Sequence, residues 1–438
     1  DGDGQIDDQV GGNTDYVVVT TVDSDDDGTD DECVLKFVKP EVVMEWDNPN
    51  FGGNGVDYLV VGGGGGASFG GGGGGGFAEG LRSNSSAIPG GLLGPRTRVY
   101  VGGGGAGADD PSVSQGGDGG DSYLISATDN GSFDPVLAID SEGDGEVRLQ
   151  EGQGVGIVMK GGGGGARVVD RATIRNEAGR PGGSSGGSSS DTTDAVGTPP
   201  LNGAFGFAGG ATSNDYSKIK VAGGGGGASE KGGETQALCC STHISLGDGG
   251  AGKPSLITGT EVIYGSGGGG SADIGDAGAT TGRSTAIFDG GGLTSASEGR
   301  ESDQNGLVNR GGGGGGNVFD SGEFGNDYFE VVDFTKYPGG NGGSGVVVVR
   351  FAPPPVEPVP VLGSVTRLDG GFRVPVVNAG EYSGSVTLSA TVSGESDGST
   401  GDPGDPSVSD DGVVTVSGLA DGESATVTVV ASAGGFSP

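Results

Sequence analysis

Apolar residues in this chain gather in short β-favouring runs that stop at glycine. Val56-Asp57-Tyr58-Leu59-Val60-Val61 runs into glycines 62–66, Val99-Tyr100-Val101 into 102–105, and Ile157-Val158-Met159-Lys160 into 161–165. The unit recurs at Ile219-Lys220-Val221-Ala222 before 223–227, at Val262-Ile263-Tyr264-Gly265-Ser266 before 267–270, and at Leu307-Val308-Asn309-Arg310 before 311–316. A seventh tract, 70–76, comes directly after the first. Runs of Val, Ile, Leu and Tyr bounded by glycine predict short strands. The region closes on Val346-Val347-Val348-Val349-Arg350-Phe351, a strand with no tract after it.

Ordering a glycine costs about 1–2 kcal/mol, whereas one hydrogen bond returns only about 0.5–1.5 kcal/mol net. A tract therefore becomes ordered only when nearly all its amides and carbonyls pair with neighbouring segments and the flanking strands add burial. A left-handed helix of the polyproline II type suits this, since it has no internal hydrogen bonds and points its backbone groups outward in three directions. Five residues in that form span about 15 Å, close to the roughly 17 Å of a five-residue strand. The expected fold class is all-β with polyglycine II-type helices, a layered glycine-rich body. The competing expectation is that the tracts are disordered linkers. Gly182 to Ser190 is expected to be a flexible loop, because mixed Gly and Ser behaves as random coil.

The chain divides by composition into four parts. Residues 1–34 form an acidic segment carrying one isolated β-favouring stretch, Tyr16-Val17-Val18-Val19-Thr20-Thr21-Val22. Residues 35–351 form the glycine-rich domain, and the proline-rich 352–360 is a stiff extended linker. Residues 361–438 alternate apolar and polar positions, as in Ser385-Val386-Thr387-Leu388-Ser389-Ala390-Thr391-Val392, which predicts half-buried strands. Within them, Val416-Ser417-Gly418-Leu419-Ala420-Asp421-Gly422-Glu423-Ser424-Ala425-Thr426-Val427-Thr428-Val429 resembles the late strands of fibronectin type III repeats in bacterial surface proteins. That resemblance implies a fibronectin type III or immunoglobulin-like β-sandwich.

Composition narrows the function classes. The 438 residues hold 106 Gly but lack the every-third-residue glycine of collagen. A net charge of -37 excludes nucleic-acid and anionic-membrane partners, which need a basic surface, and makes cations the natural ligands. The longest apolar run is too short to cross a bilayer, so no membrane insertion is expected. The single histidine, His243, rules out multi-histidine metal sites, and no nucleophile and base pair stands out. No enzyme is expected. Cys33, Cys239 and Cys240 fit no zinc spacing; a bridge from Cys33 to one of the other two and three unpaired thiols are equally compatible with them.

The strongest ligand motif is Asp23-Ser24-Asp25-Asp26-Asp27-Gly28-Thr29-Asp30-Asp31-Glu32-Cys33. Carboxylates at alternate positions with a turn-forming glycine after them can wrap a hard cation in oxygen ligands. The segment resembles the aspartate loops of thrombospondin type 3 repeats, which implies calcium held by the side chains of Asp23, Asp25, Asp27 and Asp31 and the carbonyl of Thr29. Asp140 to Glu151 matches EF-hand spacing except at Glu142, but flanking strand-like residues favour a hairpin. Gly247-Asp248-Gly249-Gly250-Ala251-Gly252-Lys253 imitates a phosphate loop, yet Pro254 stands where a metal-binding hydroxyl belongs.

Tyr58-Leu59-Val60-Val61 before its tract, and the closing Gly345-Val346-Val347-Val348-Val349-Arg350-Phe351, resemble the glycine-rich domains of phage tail fibres, phage tip adhesins and bacterial surface proteins. The resemblance implies a rigid platform of polyglycine helices whose loops bind receptors or partners. The leading expectation is a non-enzymatic extracellular or cell-surface subunit that self-assembles into a filament, sheath or surface layer. Tyr16 to Val22 would act as the assembly strand if it pairs with a neighbour's sheet edge, the alternative being pairing within its own domain. The rival expectation is an adhesin that binds a cell-surface glycan or protein receptor through loops such as Ser184 to Pro199 or Asp320 to Tyr337.

Overall fold

The valine-rich runs become strands, and in a computed structural model every named element is one. The structure describes residues 16–22, 32–47, 56–82, 96–110, 114–127, 156–167, 177–190, 206–214, 221–237, 244–245, 247–271, 291–292, 304–316, 338–352, 362–364, 366–368, 371–373, 386–393, 407–408, 413–415 and 426–433. The chain divides into two compact units, Asp1–Pro354 and Pro355–Pro438.

The first unit is organised around a five-stranded antiparallel sheet. Its strands are β1 (Val17–Val22), β2 (Glu32–Phe37), β4 (Asp57–Val61), β5 (Phe77–Gly80) and β16 (Val346–Phe351), in the order β1-β2-β16-β4-β5. A four-stranded antiparallel sheet holds β3 (Val43–Asp47), β6 (Arg96–Tyr100), β7 (Ser122–Ala127) and β8 (Gly156–Met159) in that order. Leu35, Phe37, Val60, Val347, Val349 and Phe351 of the first sheet share one core with Val99, Leu124, Ile157 and Met159 of the second. On the second sheet, the facing Tyr100 and Tyr123 rings stack with centroids 5.2 Å apart.

The opposite face of the five-stranded sheet is covered too. Val34, Leu59, Val61, Phe77, Val346 and Val348 pack with Ile257 and Tyr264 of the hairpin formed by β14 (Lys253–Ser255) and β15 (Val262–Tyr264). A strand buried on both faces has no use for polar alternation, which accounts for four consecutive valines, 346–349, all fully buried. The hairpin turns through Gly259 at φ +81°, a conformation that side chains resist.

Short sheets complete the unit. β9 (Ser189–Ser190) pairs with β11 (Val221–Ala222), and β12 (Thr235–Ala237) lies between β10 (Thr212–Asn214), to which it is parallel, and β13 (Ile244–Ser245). Among its described residues, the second unit has two antiparallel sheets. One has β17 (Thr366–Leu368), β18 (Gly371–Arg373), β21 (Val413–Thr415) and β20 (Ser407–Val408) in that order; the other pairs β19 (Val386–Ser393) with β22 (Thr426–Ala433).

Two expectations are corrected. Leu307-Val308-Asn309-Arg310 is not a strand: residues 308–311 form a turn, Asn309 sits at φ +58°, and Val308 is 70% exposed. Asn is among the few residues that visit this left-handed conformation, and here a distant residue holds it: the Asn309 backbone amide donates to the Ser344 hydroxyl, which donates to Asn309 Oδ1. Residues 182–190 do not form a flexible loop either. Ser184, Ser185, Ser188 and Ser189 are buried, and every amide from Gly183 to Ser189 donates to a carbonyl elsewhere in the unit. Serine is small enough to enter a packed body of backbone, so composition misled where neighbours decided.

One end of the five-stranded sheet is locked by charge. Asp57, at the start of β4, accepts from the Arg82 amide at 2.6 Å and Nε at 3.1 Å, and from Arg350 Nη2 at 2.6 Å and Nε at 2.9 Å. Glu32 pairs through Oε1 with Arg82, and its Oε2 lies 3.2 Å from Arg350 Nε without hydrogen-bond alignment. Two acids and two guanidiniums thus balance at the end of β4 remote from its glycine tract. Burial by itself would raise the Asp57 carboxyl, but the hydrogen bonds from Arg82 and Arg350 outweigh it and hold the group below the usual carboxylate range.

Candidate functional site

The most organised feature of the first unit is made of main chain. Successive amides of residues 62–67 donate to three partners in rotation. Gly62 and Gly65 bond to carbonyls of Gly76 and Gly73, Gly63 and Gly66 to Gly120 and Gly117, and Gly64 and Ala67 to Gly343 and Gly340, all at 2.8–3.0 Å. The carbonyls rotate likewise: Gly63 and Gly66 accept from Gly162 and Gly165, Gly64 and Ala67 from Gly105 and Ala108, and Gly65 from Gly314. This tract therefore has six neighbouring segments, three as donor and three as acceptor.

Tract 70–76 repeats the arrangement. Its amides bond in rotation to Ala166, Gly163 and Lys160, to Gly223 and Gly226, and to Gly314 and Gly311. It accepts from the 62–68 segment, from Ser184 and Gly187, and from Gly268. Segments this close leave no room for a side chain: a Cβ built on Gly64 would overlap the Gly312 carbonyl, and one on Gly74 the Gly265 carbonyl. The phosphate-loop imitation is absorbed here as well. Gly250 donates to Gly225 and accepts from Gly267, Gly247 accepts from Gly270, and Lys253 opens strand β14.

Where no segment is available, a side chain takes the place of the missing carbonyl. Asp121 Oδ1 accepts from the Gly161 amide at 3.0 Å and Asp118 Oδ1 from the Gly164 amide at 2.9 Å, so two carboxylates three residues apart serve two amides three residues apart. Both carboxylates are also paired, Asp121 with Lys160 at 2.5 Å and Asp118 with Arg180 at 3.1 Å. Ser122 serves the Gly102 amide, Thr235 that of Gly247 and Asn341 that of Gly107. Asp118→Ala is expected to cost about 0.5–1.5 kcal/mol, because the site is half exposed and water replaces the carboxylate. Hydrogen exchange should then quicken at Gly164 and stay slow at Gly163, which donates to Ser184.

Of these polar residues, Asp118 and Asp121 carry a readable signal that was missed, two acids three residues apart in a glycine run; Ser122, Thr235 and Asn341 act singly and share no spacing. The tracts themselves were legible, and pairing replaces the linker alternative. Of Tyr16 to Val22, residues Val17–Val22 form β1, which pairs along β2 of the same chain from Val17↔Phe37 to Val22↔Glu32 and occupies the edge of the sheet. Cys33 lies on β2 with no disulfide partner among the described residues, and burial raises its thiol pKa. Asp23, Asp25, Asp27, Thr29 and Asp31, the segment from Asp140 to Glu151, Cys239, Cys240, His243 and the loop from Asp320 to Tyr337 lie outside the described residues.

No curated protein matches the chain. A family model described as a glycine-rich domain matches residues 43–352, from the first residue of β3 to just beyond β16, and leaves the β1–β2 hairpin outside although β2 pairs with β16. The match takes in well over half of the sequence, and on that basis this chain belongs to the glycine-rich domain family.

Proposed function

We propose that the chain is a non-enzymatic, extracellular structural subunit that assembles with its own copies into a filament, sheath or surface layer. The observation that carries this reading is the six-neighbour pairing around tracts 62–67 and 70–76. In this reading the tracts are polyglycine II-type helices, since a rotation of partners every three residues is what that helix produces. A body so built invests its sequence in stiffness and leaves little for a reaction centre. The second unit acts as a fibronectin type III-like appendage. The Asp23–Asp31 loop, which connects β1 to β2, takes calcium through Asp23, Asp25, Asp27, Thr29 and Asp31. β1 is the assembly strand: it lies at a sheet edge, paired with β2 of its own chain, and exchange onto a neighbour's β2 would reuse that pairing.

A second reading, a phage-type or cell-surface adhesin that binds a receptor or glycan through loops of the glycine-rich domain, is favoured by apolar side chains exposed outside the strands of the body, among them Phe207, Leu256 and Val308. Electron microscopy and sedimentation of the full chain, with and without calcium, separate the two. Polymers that disappear when residues 1–22 are deleted are the expected result. Polymers that survive the deletion refute strand donation, and single particles with saturable binding to cell surfaces refute the assembly role.

A further inference from the structure

The perimeter of the glycine body is guarded unevenly. The outward amides of Gly161 and Gly164 are occupied by Asp121 and Asp118. The segment 102–108 is left more open. Toward the body, Gly105 and Ala108 donate to Gly64 and Ala67, while its carbonyls accept from Gly120 and Gly117 and from Gly345, Gly342 and Gly339. Those contacts use three neighbouring segments, half the number around 62–67. On the other side Gly104 and Ala106 are exposed. There the amides of Gly103, Gly104 and Ala106 and the carbonyls of Gly104 and Gly107 have no hydrogen-bond partner among the described residues. Asn341 Oδ1 reaches only the Gly107 amide, at 2.8 Å, and the Glu41 carboxylate lies beside Gly103.

We propose that this open side of segment 102–108 is a contact surface between copies of the chain, where the glycine body continues across the subunit boundary. The inference rests on the assembly reading above and names a contact for it that is separate from β1. Unpaired donors and unpaired acceptors stand on the same short segment, so the patch complements its own copy. The material that fills its three inner sides is glycine-rich backbone, and the same material fits the outer ones. Residues 102–108 carry no charge and no side chain larger than the methyls of Ala106 and Ala108. In a chain of net charge -37 the segment itself adds no repulsion, but Glu41 beside Gly103 and Asp109 after Ala108 border the contact and repel their counterparts in a second copy. Salt that shortens the screening length to about 3 Å at 1 M strengthens the contact.

The test uses the full chain, with sedimentation velocity and residue-resolved hydrogen exchange at low and high salt. Association is expected to slow exchange at the Gly103, Gly104 and Ala106 amides by about tenfold or more. Ala106→Glu places a charge on an exposed Cβ that already exists; it should leave the melting temperature unchanged and weaken association by at least about tenfold, while Ala106→Gly associates as the parent does. If copies associate with these three amides still exchanging freely, or Ala106→Glu associates normally, this contact is refuted and the assembly reading stands on β1. A chain that stays monomeric under every condition overturns both. The exchange measurement on the unaltered chain decides the matter even where the variant fails to fold.

Discussion

Gly75→Ala is expected to cost more than about 4 kcal/mol of unfolding free energy or to abolish folding of the first unit, whereas Gly76→Ala, one residue later, costs about 1 kcal/mol or less. At Gly75 the new methyl would overlap the carbonyl oxygen of Gly62. That carbonyl cannot retreat freely, because the Gly62 amide is itself bonded to Gly76 at 3.0 Å and Gly75 donates to Gly311 at 2.8 Å. At Gly76 the nearest atom to an added Cβ is the Lys160 oxygen at 3.1 Å, with the next at 3.5 Å, and a shift of a few tenths of an ångström accommodates it. In a disordered linker both changes would leave stability nearly unchanged, because the added methyl restricts the folded and unfolded chains alike. Denaturant unfolding of the two variants measures the difference. Equal, small effects at both positions would refute the packing of these tracts.

Asp57→Asn is the second large effect, with an expected loss of about 3 kcal/mol and a changed response to acid. The carboxylate is 1% exposed and takes bonds from Arg82 and Arg350 through both oxygens. An amide can accept at one oxygen only, and its NH2 group would face a guanidinium. The loss stops short of the upper range for broken buried pairs because Glu32 still contacts both arginines. Because the folded-state pKa of Asp57 is depressed, its stabilisation is complete above the unfolded carboxylate value of about 3.9 and fades as pH falls toward and through the folded value. The parent should lose stability steeply below that point, and the variant should start lower and decline less. Parallel acid limbs in the two unfolding profiles would show that Asp57 is not the group responsible.

Much of the architecture was visible along the chain. Val56 to Val61, Ile157 to Met159 and Val346 to Phe351 are apolar, β-branched and bounded by glycine, and each lies in a strand. Leu307 and Val308 look the same and are not a strand, since Asn309, the next residue, takes a turn conformation that outweighs two apolar neighbours. Residues 182–190 failed in the other direction. Nothing in Gly-Gly-Ser-Ser-Gly-Gly-Ser-Ser-Ser separates a linker from a packed segment until Gly74, Gly71 and Phe207 are known to offer it carbonyls. Asp118 and Asp121 could be read as two acids three residues apart beside glycines, but not which groups they serve, because their partners are two amides some 40 residues away.

By itself the sequence determined where strands and glycine tracts lie, and that those tracts could be ordered only by pairing with one another, because glycine contributes no side chain with which to pack. Only the tertiary structure decided which tract meets which, that β2 enters the sheet between β1 and β16, and which side of the body is left open. The reason is physical. A glycine amide at 64 is chemically identical to one at 225, so partner choice is set by the strands that aim each tract, by the reach of the connections between them and by the few polar side chains that close an edge.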